Sequence, residues 1–245
     1  MTNHNRSEVS AIVNRLNGSL DDSSAIVLIG SVARNCATQR SDIDVLMVGE
    51  RPKLEIRGPN VEFHAFPATK FLNRLQHGDD FPNWCVRFGI PLAGKQYWES
   101  VLHKAEHADW PDWKKKITIS ARRLLACRLS LQTGDREAGA ECALFAYDHL
   151  IRGILLREMI FPLSRPELAQ QVRPLNPSLG KGLSTLLHSS IQGLDFRRLL
   201  RNLLAALREI DPDLYADSNE RLQSIVHQTH IAQAAKMREH TSRIG

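Results

Sequence analysis

Ile29-Gly30-Ser31-Val32-Ala33-Arg34-Asn35-Cys36-Ala37-Thr38-Gln39-Arg40-Ser41-Asp42-Ile43-Asp44-Val45-Leu46 is the stretch on which the reading of this chain turns. It begins at the end of an unbroken apolar run, 25–29 (AIVLI), which predicts a strand buried on both faces. It closes on a second β-rich run, 43–48 (IDVLMV), and a third follows at 61–66 (VEFHAF). Both of these place polar groups at alternating positions in an apolar strand.

A strand ending in Gly-Ser lets backbone N–H groups and a hydroxyl come close to an anion such as phosphate. In Asp42-Ile43-Asp44 the two carboxylates, two residues apart on a strand, share a face, while Ile43 faces the core. Such a pair repels itself and raises its own pKa values unless a cation lies on it. A hard ion such as Mg²⁺, held by one or two carboxylates and by substrate phosphates, meets that cost. Phosphate cradle and carboxylate pair together suit a metal-bound nucleoside triphosphate.

Gly30, Ser31, Ala33, Arg34, Ser41, Asp42, Ile43 and Asp44 resemble the Gly-Ser-x-Ala-Arg … Ser-Asp-Ile-Asp signature of small bacterial members of the nucleotidyltransferase superfamily typified by DNA polymerase β. Asn35 departs from the Gly usual there, but Asn tolerates a left-handed backbone, so the turn is expected to persist. The resemblance implies an α+β fold: a polymerase-β-like core with a short mixed sheet and helices, followed by an all-α helical bundle. It implies catalytic and metal-holding roles for Asp42, Asp44 and a third carboxylate on a following strand. Glu62, eighteen residues after Asp44, is the candidate, with His64 as its neighbour on the same strand face. Gly30, Ser31 and Arg34 would bind the nucleotide. Two Mg²⁺ ions, with Mn²⁺ as a substitute, are the implied cofactors. The segment 84–97 (WCVRFGIPLAGKQY) looks like the hairpin or turn that closes the domain in small nucleotidyltransferases. The segment 143–172 is similar to the helical domain of kanamycin- and streptomycin-type enzymes and to HEPN-like bundles.

Beyond the motif, helical spacing predicts helices at 7–16, 68–76, 111–133, 136–160, 166–172, 183–191, 196–210 and 218–238, between Gly- and Pro-rich punctuation. The expected domains are a catalytic one at 1–105 and a helical bundle at 106–245. With 245 residues, 42% hydrophobic and 24% charged, the chain reads as globular rather than disordered or collagen-like. Its polar start and lack of a membrane-length apolar run predict a cytoplasmic protein without membrane contact. Cys36, Cys85, Cys127 and Cys142 have no metal-type spacing and are expected as reduced core residues, and Trp110 and Trp113 as core. His227 and His230 lack a third ligand nearby. Arg221 with Leu222 and His227 departs from the polar pattern of a HEPN ribonuclease.

Net charge is +5, and residues 106–245 hold 20 basic against 16 acidic side chains, including Lys114, Lys115, Lys116, Arg122, Arg123, Arg128, Arg197, Arg198 and Arg201. Such a balance favours an anionic partner. The expected reaction moves an NMP or dNMP, adenylate first, from a triphosphate to a hydroxyl of a nucleotide, a nucleic-acid end or a partner protein. Small bacterial relatives suggest a phage-defence or toxin–antitoxin setting. An aminoglycoside-type adenylyltransferase and a non-catalytic antitoxin-like binding module stand as alternatives, and the oligomeric state is left open.

Overall fold

A computed structural model describes residues 11, 22–37, 41–49, 60–218 and 220. The helices expected at 7–16 and 218–238 lie outside the described residues except for Ala11, Ser218 and Glu220, which are helical. Arg221, His227 and His230 also lie outside them. The chain divides into two compact units, Met1–Pro111 and Asp112–Gly245.

The first unit is built on a four-stranded mixed sheet of order β3-β2-β1-β4. Strand β1 (Ser24–Ile29) is buried along its whole length. It pairs antiparallel with β2 (Ile43–Gly49) and with β4 (Ile90–Ala93). Strand β3 (Val61–Pro67) pairs parallel with β2 and forms the sheet edge among the described residues. Its residues are half-buried or exposed, as those of an edge strand are. A parallel neighbour needs a crossover, whereas the short link from β1 to β2 returns antiparallel.

The two-residue alternation sorts the sheet into faces. Ala25, Val27, Ile29, Leu46 and Val48 pack with Phe71, Leu75, Cys85, Trp98 and Val101. Those come from α2 (Ala68–Gln76), α3 (Asp80–Phe88) and α4 (Lys95–Ala105), the single-turn α1 being Gly30–Ala33. Ile26, Leu28, Ile43, Val45 and Met47 build the other face with Val32 and Phe63.

The segment 84–97 is no hairpin: it holds the second half of α3, then β4 and the start of α4. Asp79 sets this helix by accepting from the Phe81 N–H at 3.1 Å. Arg74 in turn holds Asp79 with two hydrogen bonds of 3.0 and 3.1 Å. A capping carboxylate fixed in this way begins the helix ahead of the apolar residues that look like a strand in sequence.

The second unit is helical: α5 (Trp113–Gln132), α6 (Arg136–Arg157), α7 (Arg165–Gln171), α8 (Pro177–His188) and α9 (Phe196–Ile210). Helix α8 starts six residues earlier than expected. Asn176 caps it by accepting from the Leu179 N–H at 3.0 Å, and Pro177 occupies the first turn, where its missing N–H costs nothing. Small residues bring α5 and α6 together, so that Ser120 Oγ donates to the Ala146 carbonyl at 2.7 Å and Cys127 Sγ to that of Gly139 at 3.2 Å.

Tyr147 is fully buried, and its hydroxyl donates to the Leu199 carbonyl at 3.0 Å. Cys85 and Cys127 are buried as expected, but Cys36 is exposed and Cys142 half-buried; all four thiols are free. Trp110 and Trp113 are half-buried rather than core, each with a cation over its ring: Arg87 on Trp110, Lys114 and Arg157 on Trp113. Among the described residues no helix is long and apolar enough to cross a membrane.

The Tyr147 ring lies where a side chain at position 182 would go: a Cβ on Gly182 would meet the ring at 2.4 Å. Gly182→Val is therefore expected to destabilise the fold by about 2–3 kcal/mol, as overpacking of a filled core does. Urea unfolding of the variant beside wild type measures it.

Candidate active site

The site forms where β1 ends and β2 and β3 begin. In the register of the sheet Asp44 stands opposite both Ile29 and Glu62. Because the parallel partners are in step, Glu62 shares a face with Asp44, and His64 follows two residues on. Ligand atoms of Asp44, Glu62 and His64 all lie within 4.8 Å of one another. His64 Nε2 is 3.5 Å from Glu62 Oε1. Asp42 is exposed and sits just before β2, outside this group of three but close enough for its charge to act on Asp44.

Gly30 adopts a φ of +75°, and a Cβ there would lie 1.8 Å from Asp44 Oδ2. No side chain fits, so the backbone at the end of β1 runs directly against the carboxylate. The turn then closes on itself. The Asn35 N–H donates to the Val32 carbonyl at 3.2 Å and the Cys36 N–H to that of Ser31 at 3.0 Å. Asn35 has φ 56°, the left-handed conformation expected of it in place of Gly. Arg34 lays its guanidinium over the rings of Phe88 (5.1 Å) and Trp84 (6.0 Å), which ties the turn to α3.

Electrostatics mark Asp44 as the strained member. Burial first, then the Glu62 charge, with Asp42 adding to them against the pull of His64, push its pKa up to about 6. A carboxylate so placed gains from any cation that reaches it. The donor set fits a divalent ion: two carboxylates and one imidazole converge from adjacent strands. His64 was visible in the sequence only as a neighbour of Glu62. The signal for its membership is the i, i+2 spacing on a strand, which places both side chains on one face.

Residues 6–117 match the family model described as the nucleotidyltransferase domain. Those residues are similar to a nucleotidyltransferase domain, in line with the polymerase-β-like resemblance of the Gly-Ser … Asp-Ile-Asp motif. A domain of that kind supports transfer of a nucleoside monophosphate from a triphosphate. A search of the curated proteins finds no match. Among solved structures, a nucleotidyltransferase-like protein from Exiguobacterium sibiricum 255-15 is similar at 16% identity, with a TM-score of 0.47, over 82% of this chain and 74% of that one.

The raised Asp44 pKa sets the pH dependence of the metal-free protein. Native Asp44 holds its proton up to about pH 6, whereas an unfolded Asp releases it near pH 3.9. That advantage of the native state is complete below about pH 4 and is lost as the pH rises through 6. Asp44→Asn, which needs no proton, should stabilise the protein in EDTA at pH 8 by on the order of 1–2 kcal/mol after solvent screening, and not at pH 4. Calorimetry at the two pH values checks this, and equal shifts at both would contradict it.

Proposed function

We propose that the protein transfers a nucleoside monophosphate, adenylate first, to a hydroxyl of a nucleotide or nucleic-acid end, with Asp42, Asp44 and Glu62 as the catalytic carboxylates. The observation that carries this reading is the close approach of Gly30 to the Asp44 carboxylate, which supports a turn that cradles phosphate next to a residue that holds a metal. A bound divalent ion, Mg²⁺ or Mn²⁺, would neutralise triphosphate charge and lower the pKa of the attacking hydroxyl.

The residues of the chain supply the rest. Asp44, desolvated and crowded by acids, is the anchor whose charge is relieved when a cation binds. Asp42, at the mouth of the strand, adds a second carboxylate. Gly30 and Ser31 leave room at the end of β1 for the departing pyrophosphate. Glu62, 62% exposed at the sheet edge, would take the acceptor proton in this reading. As the acceptor oxygen bonds to the α-phosphorus, the bond from that phosphorus to the bridging oxygen breaks and pyrophosphate leaves with its electron pair.

The acceptor class draws support from the helical unit. Arg123 and Arg165 each lie 5.2 Å from the Phe145 ring. Arg152 and Arg165 both bind the buried carboxylate of Asp148, at 2.9 and 3.3 Å. Burial holds the neighbouring His149 below its usual pKa, against the pull of Asp148, and Lys116, Arg152 and Arg123 push the same way as burial. Two arginines on the buried acid and Lys116 and Arg123 acting on the adjacent His149, with Lys114 and Lys115 exposed on the same helix as Lys116, favour a polyanion over a polycationic antibiotic.

Incubation with each labelled NTP and dNTP plus Mg²⁺ or Mn²⁺, resolving small products, polymers and labelled protein, tests the reaction. Asp44→Asn should keep the fold and lower transfer a thousandfold or more, about 4 kcal/mol of transition-state stabilisation. Glu62→Gln should abolish transfer while keeping much of the nucleotide binding. Near-normal turnover in Asp44→Asn would sink the assignment.

The acceptor is tested separately. Transfer to an oligonucleotide should weaken as salt rises, and the combined change Lys114→Gln, Lys115→Gln and Arg123→Gln should flatten that salt dependence and raise the apparent KM severalfold. Salt-insensitive adenylylation of kanamycin or streptomycin, with no transfer to an oligonucleotide, RNA or protein, would defeat this part.

A further inference from the structure

The donor set differs in kind from an all-oxygen site. Glu62 and His64 are successive same-face positions of one edge strand, and Asp44 is the register partner of Glu62 on the next. The ligand atoms lie within 4.8 Å of one another, and the His64 Nε2 to Glu62 Oε1 separation is 3.5 Å. Around an octahedral ion with bonds of about 2.1 Å, cis donors are about 3 Å apart and trans donors about 4.2 Å. The 3.5 Å pair is about half an ångström from a cis separation, and a pair at the 4.8 Å limit closes by about 0.6 Å to become trans or about 1.8 Å to become cis, a movement within the reach of side-chain rotation.

The imidazole is also held in place. Its ring packs edge-on against Phe81, centroids 5.5 Å apart at 63°. Phe81 stacks at 5.5 Å on Phe66, which meets Phe71 of the core. His64 is 28% exposed against 62% for Glu62, so the ring is the more firmly seated of the two donors on this strand. A seated imidazole beside two carboxylates discriminates among metals. Mg²⁺ takes oxygen ligands and keeps its waters, whereas imidazole nitrogen suits the first-row transition ions.

We propose that His64 is itself a metal ligand and that, through it, the Asp44–Glu62–His64 centre selects a first-row transition ion over Mg²⁺. This deepens the nucleotidyltransferase reading of the same site and rests on it for the use to which the ion is put. His64 here acts as the selectivity-determining ligand, and Asp44 and Glu62 provide the charge.

The test is direct metal binding by the full-length protein, without nucleotide, with Mn²⁺ as the probe. Electron spin-echo modulation of bound Mn²⁺ should show coupling to a directly ligated ¹⁴N in wild type and none in His64→Gln. Free Mn²⁺, followed by its solution resonance, should be displaced from wild type only by at least a fiftyfold excess of Mg²⁺. That excess should fall fivefold or more in His64→Gln, because Gln offers oxygen in place of nitrogen. Asp44→Asn should lose Mn²⁺ binding altogether. Bound Mn²⁺ without ¹⁴N coupling in wild type, absence of Mn²⁺ binding, or equal Mg²⁺ competition in wild type and His64→Gln would each overturn the proposal. The wild-type spectrum decides even if the variant fails to fold. A ¹⁴N signal in a protein that transfers no nucleotide would leave the metal assignment standing and sink the functional one; transfer without the signal would do the reverse.

Discussion

The rest of the first unit depends on the meeting of the Gly30 backbone with the Asp44 carboxylate. With Asp44 Oδ2 occupying the space a Cβ would need, position 30 must be glycine, and its φ of +75° turns the chain sharply out of β1. Strand β1 is the most buried of the four and pairs on both sides, so the position of its last residue is fixed by the core. The carboxylate and the turn are thereby held at one place by packing on both faces of the sheet.

That arrangement carries an electrostatic cost. Asp44 lies partly buried, with Glu62 as its cross-strand partner and Asp42 two residues before it, and its pKa rises to about 6. A structure that crowds acids in this way is destabilised in the absence of a cation and responds strongly to one, the usual bargain of a binding site. The cost is offset by apolar burial directly behind it. His64, Phe81, Phe66, Phe71 and Trp98 form a row of ring contacts running from the site into the helix-covered face. A rigid row of this kind holds the strand ends where the carboxylates must sit.

The helical unit is organised by a different device. Each of α5, α6, α8 and α9 begins with an Asp or Asn that accepts from its first-turn N–H groups: Asp112, Asp135, Asn176 and Asp195. Inside, Tyr147 fills the space left by Gly182, and small side chains let hydroxyl and thiol groups bond to carbonyls across helices. The interior is thus satisfied by short side chains, which leaves the long cationic ones for the surface around Phe145 and Trp113.

Much of this was legible in the chain itself. Gly30 as the turn residue at the end of β1 and the left-handed Asn35 are local requirements that depend on a few neighbouring residues, whereas the Asp44 carboxylate that leaves no room for a Cβ at position 30 comes from another strand. Three strands and the helices at 68–76 and 196–210 follow from hydrophobic period alone. The tertiary structure decided what pairing decides. Only the sheet order puts β3 at the edge, exposing Glu62, and only the parallel register sets Glu62 beside Asp44 with His64 in reach. Helix α3 and the early start of α8 were hidden because their caps act through geometry: Arg74 holds Asp79 across the α2–α3 turn, and Asn176 sits in a segment that reads as a loop. Period and turn chemistry are properties of neighbouring residues and are written in the sequence. Strand partners and side-chain convergence join residues far apart in the chain, and these arise only when the core closes.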